Sequence, residues 1–524
     1  MRLFRHFIKN SSKFILLLYV LTIVILFLSF TVSGNIRLFF NPVSTETVAV
    51  NQDQLLFQII TSYVLIFSLS LCSGFLSGRI LYNGQLNIRR RMIQRLLYTS
   101  FDYFIKNTVG KIWGELLMTT NKVCPFYNAI LLLPIDLAEA IVYGVIIFQA
   151  STVGGCIVLA FIPLIFLTTF YSGKVMTKRS DECLRDYRDV SSWSVETLSM
   201  AKMIKTTSSY DFFLDRFTEK HRLFNRSVVK MSTVRGYVDS VQNTIVIIAP
   251  LIIVFLSSVL GSTQSFSTGN LVILYTFSPL FFTSFRRFYS KLFDFFGVKP
   301  NLTAVNDVLS LKPERFGTQT PEGELRVEVR DFSYRVKDKV IKLPNFSINP
   351  GDKLVISGES GMGKSTFFNC LTGIYGDFNS SIRINGSDIK TYDLYALRKK
   401  ILLVNQENGV FTGTLRDNLT MGLSLPEKEL QAVIERLKLG ELDEREAITA
   451  DKLSGGEKAR INLAQALLRK PAILLIDETL SSVDEGFERE TVKRLISEYP
   501  ELTVLYITHR LSVQALFDRV ITLE

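Results

Sequence analysis

The stretch that most constrains this chain is Gly358-Glu359-Ser360-Gly361-Met362-Gly363-Lys364-Ser365-Thr366. An apolar run of strand type, Lys353-Leu354-Val355-Ile356-Ser357, leads into it, and Phe367-Phe368-Asn369-Cys370-Leu371 continues it as a helix. Strand, glycine loop and helix in that order read as a phosphate-binding loop. The glycines let backbone N–H groups turn inward on phosphate oxygens, and the helix start adds the positive end of its dipole. In that geometry Lys364 reaches the β- and γ-phosphates, Ser365 offers a hydroxyl to Mg²⁺, and Thr366 helps hold the α-phosphate. Alone, such a pattern competes with a chance glycine loop. The motifs downstream decide between the two.

The first half of the chain is unlike the second. Residues 1–13 are basic, and Phe14 to Val32 is almost unbroken apolar sequence. A signal peptide would look similar at its start, but long apolar runs recur at Leu55 to Leu76, Ile130 to Phe148, Val153 to Phe170, Ile245 to Leu260 and Leu271 to Phe285. Each is near the roughly 20 residues that a bilayer requires of a helix. Six spans are expected, the last being the shortest of apolar residues. The net charge of +11 then reads as membrane topology rather than as a nucleic-acid surface. Basic residues crowd the stretches between the second and third spans and between the fourth and fifth, whereas Ser33 to Gln54 carries only Arg37. The positive-inside rule places both termini and both long loops in the cytosol. Cys72, Cys124, Cys156, Cys183 and Cys370 lie scattered, with neither a disulfide rhythm nor a metal-ligand spacing.

Leu86, Met92, Leu96, Leu97, Phe101 and Phe104 recur among charges at roughly helical spacing, so the long loops are expected to be helical projections of the spans. Asn107 to Lys111 and Thr206 to Asp211 are the breaks where those projections turn. Asp136, Glu139, Asp239, Arg286 and Arg287 fall within or beside apolar runs. Such groups could line a solute path. The simpler expectation puts Arg286 and Arg287 at the cytosolic membrane boundary and Asp136 and Glu139 at headgroup depth.

Lys312 to Glu324 is polar and breaks the apolar pattern, so the expected domains are residues 1–310 and 311–524. Leu325 to Val329 alternates as a strand, and Tyr334 follows as an aromatic able to stack on a purine. Gln406 ends the apolar run Ile401 to Asn405. Leu453-Ser454-Gly455-Gly456-Glu457 opens a helix reaching about Arg469; Ser454 and Glu457 match a capping box, while two glycines at a helix start suit close approach of a phosphate. Ile473-Leu474-Leu475-Ile476-Asp477-Glu478 is a buried-strand run ending in two carboxylates, Asp477 placed for Mg²⁺ through water and Glu478 for the attacking water. Ser481-Ser482-Val483-Asp484 follows, and Val504 to Thr508 leads to His509.

Together these motifs resemble the nucleotide-binding domain of the ABC transporter family, and the six helices ahead of it resemble an exporter-type half-transporter. The resemblance covers essentially the whole chain. It implies an all-α six-helix transmembrane domain fused to an α/β P-loop NTPase domain. It also implies ATP and Mg²⁺ as cofactors and hydrolysis coupled to outward movement of a hydrophobic or amphipathic solute such as a peptide, lipid or drug. By the same resemblance Tyr334, the residues from Gly358 to Thr366, Gln406 and the signature Ser454 to Glu457 bind nucleotide. Ser365, Gln406 and Asp477 serve the metal, and Glu478, His509, Gln406 and Lys364 serve catalysis. ATP would be sandwiched between the P-loop of one subunit and the signature of a second half-transporter. A homodimer is favoured, with a heterodimer as the alternative. The turns near Asn107 and Ser208 would be coupling helices, with Tyr210 and Phe212 as apolar anchors. A multi-pass protein of a bacterial inner membrane follows, with no nucleic-acid partner. The competing class is an ATP-gated channel or regulator that does not pump.

The sequence departs from the family pattern in three places. Gly440 to Lys452 is short and lacks the usual glycine-containing loop, the chain stops at Glu524 without the customary C-terminal elements, and Ser482 replaces an alanine. No N-terminal peptidase domain precedes the first span, so cleavage-coupled peptide export is not expected.

Overall fold

The computed structural model describes residues 2–9, 11–40, 52–260, 267–314, 317–336, 339–359, 361–376, 378, 381–405, 409–440, 447–449 and 452–523. The chain forms two compact units, residues 1–99 with 103–312 and residues 100–102 with 313–524. Gln406, Ser360 and most of Gly440 to Lys452 lie outside the described residues.

The first unit is helical. Its long helices are Ser12–Phe40, Gln52–Leu97, Val109–Ala150, Thr152–Ser199, Tyr210–Leu260 and Thr268–Ser310. Among the described residues, five are long and apolar enough to cross a membrane. The sixth, Thr268–Ser310, falls short because its apolar run ends at Arg286 and Arg287. The expected cytosolic projections are continuous with the spans: Gln52–Leu97 carries its helix through Arg89, Arg90 and Arg91 without a break.

Local chemistry sets the turns. Ser151 alone joins the third and fourth long helices. Its N–H donates to Ile147 O at 2.9 Å, and its hydroxyl accepts from Gly154 N at 3.1 Å, so one residue caps both ends. At the opposite end Thr108 caps Val109–Ala150, within the break expected there. Gly114 lets the fourth helix approach, since a Cβ on it would stand 2.3 Å from Ser191 Oγ. Ser208, at φ 53°, ends the short helix Ala201–Thr207 inside the second expected break. Arg37 donates to Asn270 Oδ1 at 3.2 and 3.1 Å and to Gln149 O at 2.9 Å, tying three helices together.

The charges expected at headgroup depth are paired across helices. Asp136 is almost fully buried and meets Arg287 Nε at 3.3 Å and the Lys291 ammonium. Glu139 accepts from Ser284 Oγ at 2.9 Å and from Arg287. Two carboxylates and two cations are thus paired between the third and sixth long helices, so that the buried Asp136 is not left as an uncompensated charge.

The second unit is α/β. Five parallel strands lie in the order Arg519–Leu523, Lys353–Gly358, Thr503–Ile507, Ile473–Asp477, Ile401–Asn405. A four-stranded antiparallel sheet and the hairpin Ser333–Val336/Lys339–Lys342 accompany them. The three inner strands, Lys353–Gly358, Thr503–Ile507 and Ile473–Asp477, are largely buried on both faces and are therefore near-continuously apolar, whereas Arg519–Leu523 at one edge buries only Ile521 and Leu523. Leu354, Ile356, Ile473, Leu475, Leu505 and Ile507 face one core, which holds the helix Lys364–Leu371 through Phe367, Phe368 and Leu371. Val355, Val404, Leu474, Ile476, Val504 and Tyr506 face the other, which holds the helix Gly455–Leu467 through Ile461, Leu463 and Ala464.

Candidate functional site

Parallel pairing puts like ends together. Asp477 stands in register with both Asn405 and Ile507, and Ile507 with Ile356. Residues immediately after those positions therefore leave the sheet along one edge, the general location of ligand sites in such sheets. The P-loop, Glu478 and His509 all depart there.

The loop is shaped by its glycines. Gly358, Gly361 and Gly363 have φ of 149°, 83° and 97°, values that side-chain-bearing residues rarely adopt. Gly363 also admits Ile341, whose Cγ2 would be 2.2 Å from a Cβ there. Lys364 is buried, and its ammonium is held at the loop by Gly358 O at 2.7 Å and Glu359 O at 3.0 Å. Ser365 is exposed and Thr366 half-buried in the first turn of the following helix, with Met362 half-buried ahead of it.

Tyr334 reaches this loop through the hairpin. It pairs across strands with Ile341, the residue seated over Gly363. Its ring stacks on Tyr375 with centroids 5.4 Å apart and planes inclined by 3°. Tyr375 follows the P-loop helix and was not singled out by sequence; a second tyrosine among loop residues carries no periodic signal.

At the end of Ile473–Asp477, Glu478 turns into the left-handed region at φ 50° and donates its N–H to Ile507 O at 3.1 Å. That turn points its carboxylate at the neighbouring strand's exit, where His509 Nε2 lies 3.0 Å from Glu478 Oε1. Thr479 anchors the turn from beneath, donating its hydroxyl to Val404 O at 2.8 Å. Among the described residues no group of three or more His, Cys, Asp or Glu could by itself hold a metal. One carboxylate, Asp477, and one hydroxyl, Ser365, are hard oxygen donors. Such a sparse set fits Mg²⁺, which keeps waters and takes phosphate oxygens as its remaining ligands.

The signature segment forms the expected capping box. Ser454 Oγ accepts from Glu457 N at 3.2 Å, and Glu457 Oε2 accepts from Ser454 N at 2.7 Å. The Ser454 hydroxyl also donates to Glu457 Oε2 at 2.7 Å, and that hydrogen bond first, then the one from Ser454 N–H, holds the Glu457 carboxyl below its ordinary range. Ser454 and Gly455 are exposed. Gly456 has a local packing reason as well, since a Cβ there would meet Val483 Cγ1 at 2.9 Å. The helix it opens lies on the opposite face of the sheet from the P-loop helix, so within one chain the sheet separates the two.

The ABC transporter profile matches residues 341–481, and the profile described as ABC transporter transmembrane region matches residues 11–285. The chain is 24% identical over 497 residues to the lactococcin transport/processing ATP-binding protein LcnC-like of Lactococcus lactis subsp. lactis (strain IL1403), covering 91% of this chain and 68% of that one. It is 23% identical over 472 residues to the ATP-dependent lipid A-core flippase of Burkholderia orbicola (strain AU 1054), covering 86% and 78%. A solved structure of a bacterial Atm1-family ABC exporter with ATP bound superposes with a TM-score of 0.81 at 18% identity, over 99% of this chain and 93% of that one. With a transmembrane region and an ATPase domain both matched in one polypeptide, the chain belongs to the ABC transporter family as a multi-pass membrane ATPase that couples ATP hydrolysis to transport.

Proposed function

We propose that the chain is half of a homodimeric exporter that hydrolyses Mg·ATP to move a hydrophobic or amphipathic solute out of the cytosol of a bacterial cell. The observation that carries this reading is the Glu478–His509 contact of 3.0 Å beside Asp477. A carboxylate so placed accepts a hydrogen bond from the attacking water, and His509 orients it from the other side. The new bond from water oxygen to γ-phosphorus forms as the bond to the β-phosphate bridging oxygen breaks, releasing ADP and phosphate. Lys364 balances charge on the phosphates, and Tyr334 stacks the purine. Asp477, Ser365 and Gln406 would hold Mg²⁺, which supplies further charge neutralisation on the transferring phosphoryl group.

Two features support dimerisation. The signature helix starts in solvent, and it lies across the sheet from its own P-loop helix, so a second chain is needed to bring a signature to each nucleotide. The relatives' names, a lactococcin transport/processing protein and a lipid A-core flippase among them, support a hydrophobic or amphipathic solute, as does an apolar cavity of about 530 Å³ lined by Leu137, Ile141, Phe148, Leu159, Phe281 and Phe285. The test is ATP-dependent uptake into inside-out proteoliposomes of three probes: a hydrophobic peptide, a fluorescent phospholipid and a lipophilic dye. Uptake of one of them with a matching rise in ATPase rate supports export. Hydrolysis accompanied by an ATP-gated conductance, with no uptake, supports the channel reading instead.

A further inference from the structure

Behind the Glu478–His509 pair lies a buried ionic network. Glu488, on the helix Glu485–Glu498, is 1% exposed. One of its oxygens accepts from Tyr506 Oη at 2.5 Å, and the other pairs with the Arg510 guanidinium. Burial, with the Glu488 charge beside it, pushes the Tyr506 phenol up, so it stays a donor at neutral pH. Arg510 directs both terminal nitrogens to one further acceptor, Val483 O, each at 3.1 Å. Its own N–H is fixed by Thr508 Oγ1 at 3.1 Å.

The positions of these partners give the network its meaning. Arg510 is the residue after His509. Val483 lies in the segment that follows Glu478 and Thr479, and its side chain closes over Gly456 of the signature helix. One guanidinium therefore connects the strand exit bearing His509 to the loop leading from Glu478, and through Val483 to the start of the signature helix. A planar fork of donors is suited to this, because it fixes an angle as well as a distance.

We propose that Arg510 is a positioning residue for hydrolysis, holding His509 at Glu478 and the Val483 segment against Gly456. The inference rests on the reading of Glu478 and His509 as the hydrolytic pair and adds a residue that touches neither nucleotide nor water. A network serving stability alone would change the melting temperature and leave the chemical step of the folded fraction as it was.

The test compares Arg510→Ala and Arg510→Lys with the wild-type full-length chain in lipid nanodiscs, using Mg·ATP. Arg510→Lys keeps the charge against Glu488 and loses the second donor to Val483 O. Arg510→Ala is expected to lower kcat by about tenfold or more with KM for ATP within about twofold, and Arg510→Lys to fall between it and wild type. If Arg510→Ala does not fold, as judged by loss of nucleotide binding, Arg510→Lys alone carries the test by the same split. Wild-type kcat per folded protein in Arg510→Lys, or a rise in KM with kcat unchanged, overturns the proposal. A wild-type chain that hydrolyses no ATP overturns the underlying functional reading instead.

Discussion

His509 and Glu478 leave different strands of the parallel sheet, yet the His509 Nε2 lies 3.0 Å from Glu478 Oε1. The register Asp477 to Ile507 sets this distance, because each of the two residues follows closely on a residue of that pair. A one-residue slip would turn every side chain of Ile473–Asp477 to the opposite face, exchanging Leu474 and Ile476, packed in one core, with Ile473 and Leu475, packed in the other.

Lys364 contributes a point charge that the loop already holds in place. Lys364→Ala is expected to weaken ATP binding by about tenfold or more, since a charge-assisted contact is worth about 1.5–3 kcal/mol. Fluorescent-nucleotide titration measures it, and unchanged affinity would show that the ammonium does not reach phosphate.

Tyr334 and Tyr375 form one parallel stack. Tyr334→Ala is expected to raise KM for ATP by about fivefold or more, because base–aromatic stacking is worth about 1–3 kcal/mol. GTP and ATP should lose affinity together, as stacking does not read base edges. A loss confined to one nucleotide would point to hydrogen-bond recognition instead.

The capping box at the signature is sensitive to acid. Glu457 has a folded-state pKa below its ordinary 4.5. Its contribution is therefore complete above pH 4.5 and lost as pH falls through the lower folded value. Ser454→Ala is expected to cost about 1 kcal/mol at pH 7. The stability gap between wild type and Glu457→Gln should close on acidification below pH 4.5, and a gap independent of pH would dismiss the ionic part of the box.

The P-loop, the signature, Asp477–Glu478 and His509 were legible because each occupies a strand end or helix start, where local sequence and chemistry coincide. The long helices were legible for a similar reason: apolar length is a local property, and even the breaks at Thr108 and Ser208 sit where polar residues cluster. What escaped was tertiary. The pairing of Asp136 with Lys291 and of Glu139 with Arg287 depends on which helices adjoin. Tyr375 and the Arg510–Glu488–Tyr506 network depend on side chains distant in sequence meeting in the core.

Dimerisation through two shared sites predicts complementation. A Lys364→Ala chain and a Ser454→Arg chain are each expected to be inactive alone. Mixed during reconstitution, they form heterodimers with one undamaged pair of P-loop and signature. Partial recovery of ATPase activity is the expected result, and no recovery would argue against sites shared between chains.

The most direct measurement is steady-state phosphate release from Mg·ATP by the purified chain in lipid, wild type against Glu478→Gln. The substitution keeps shape and removes the carboxylate charge. The account predicts turnover lower by about 10²-fold or more, in the range typical of a lost general base, with ATP still bound and retained in a closed dimer. Turnover equal to wild type would contradict the assignment of hydrolysis to this strand end.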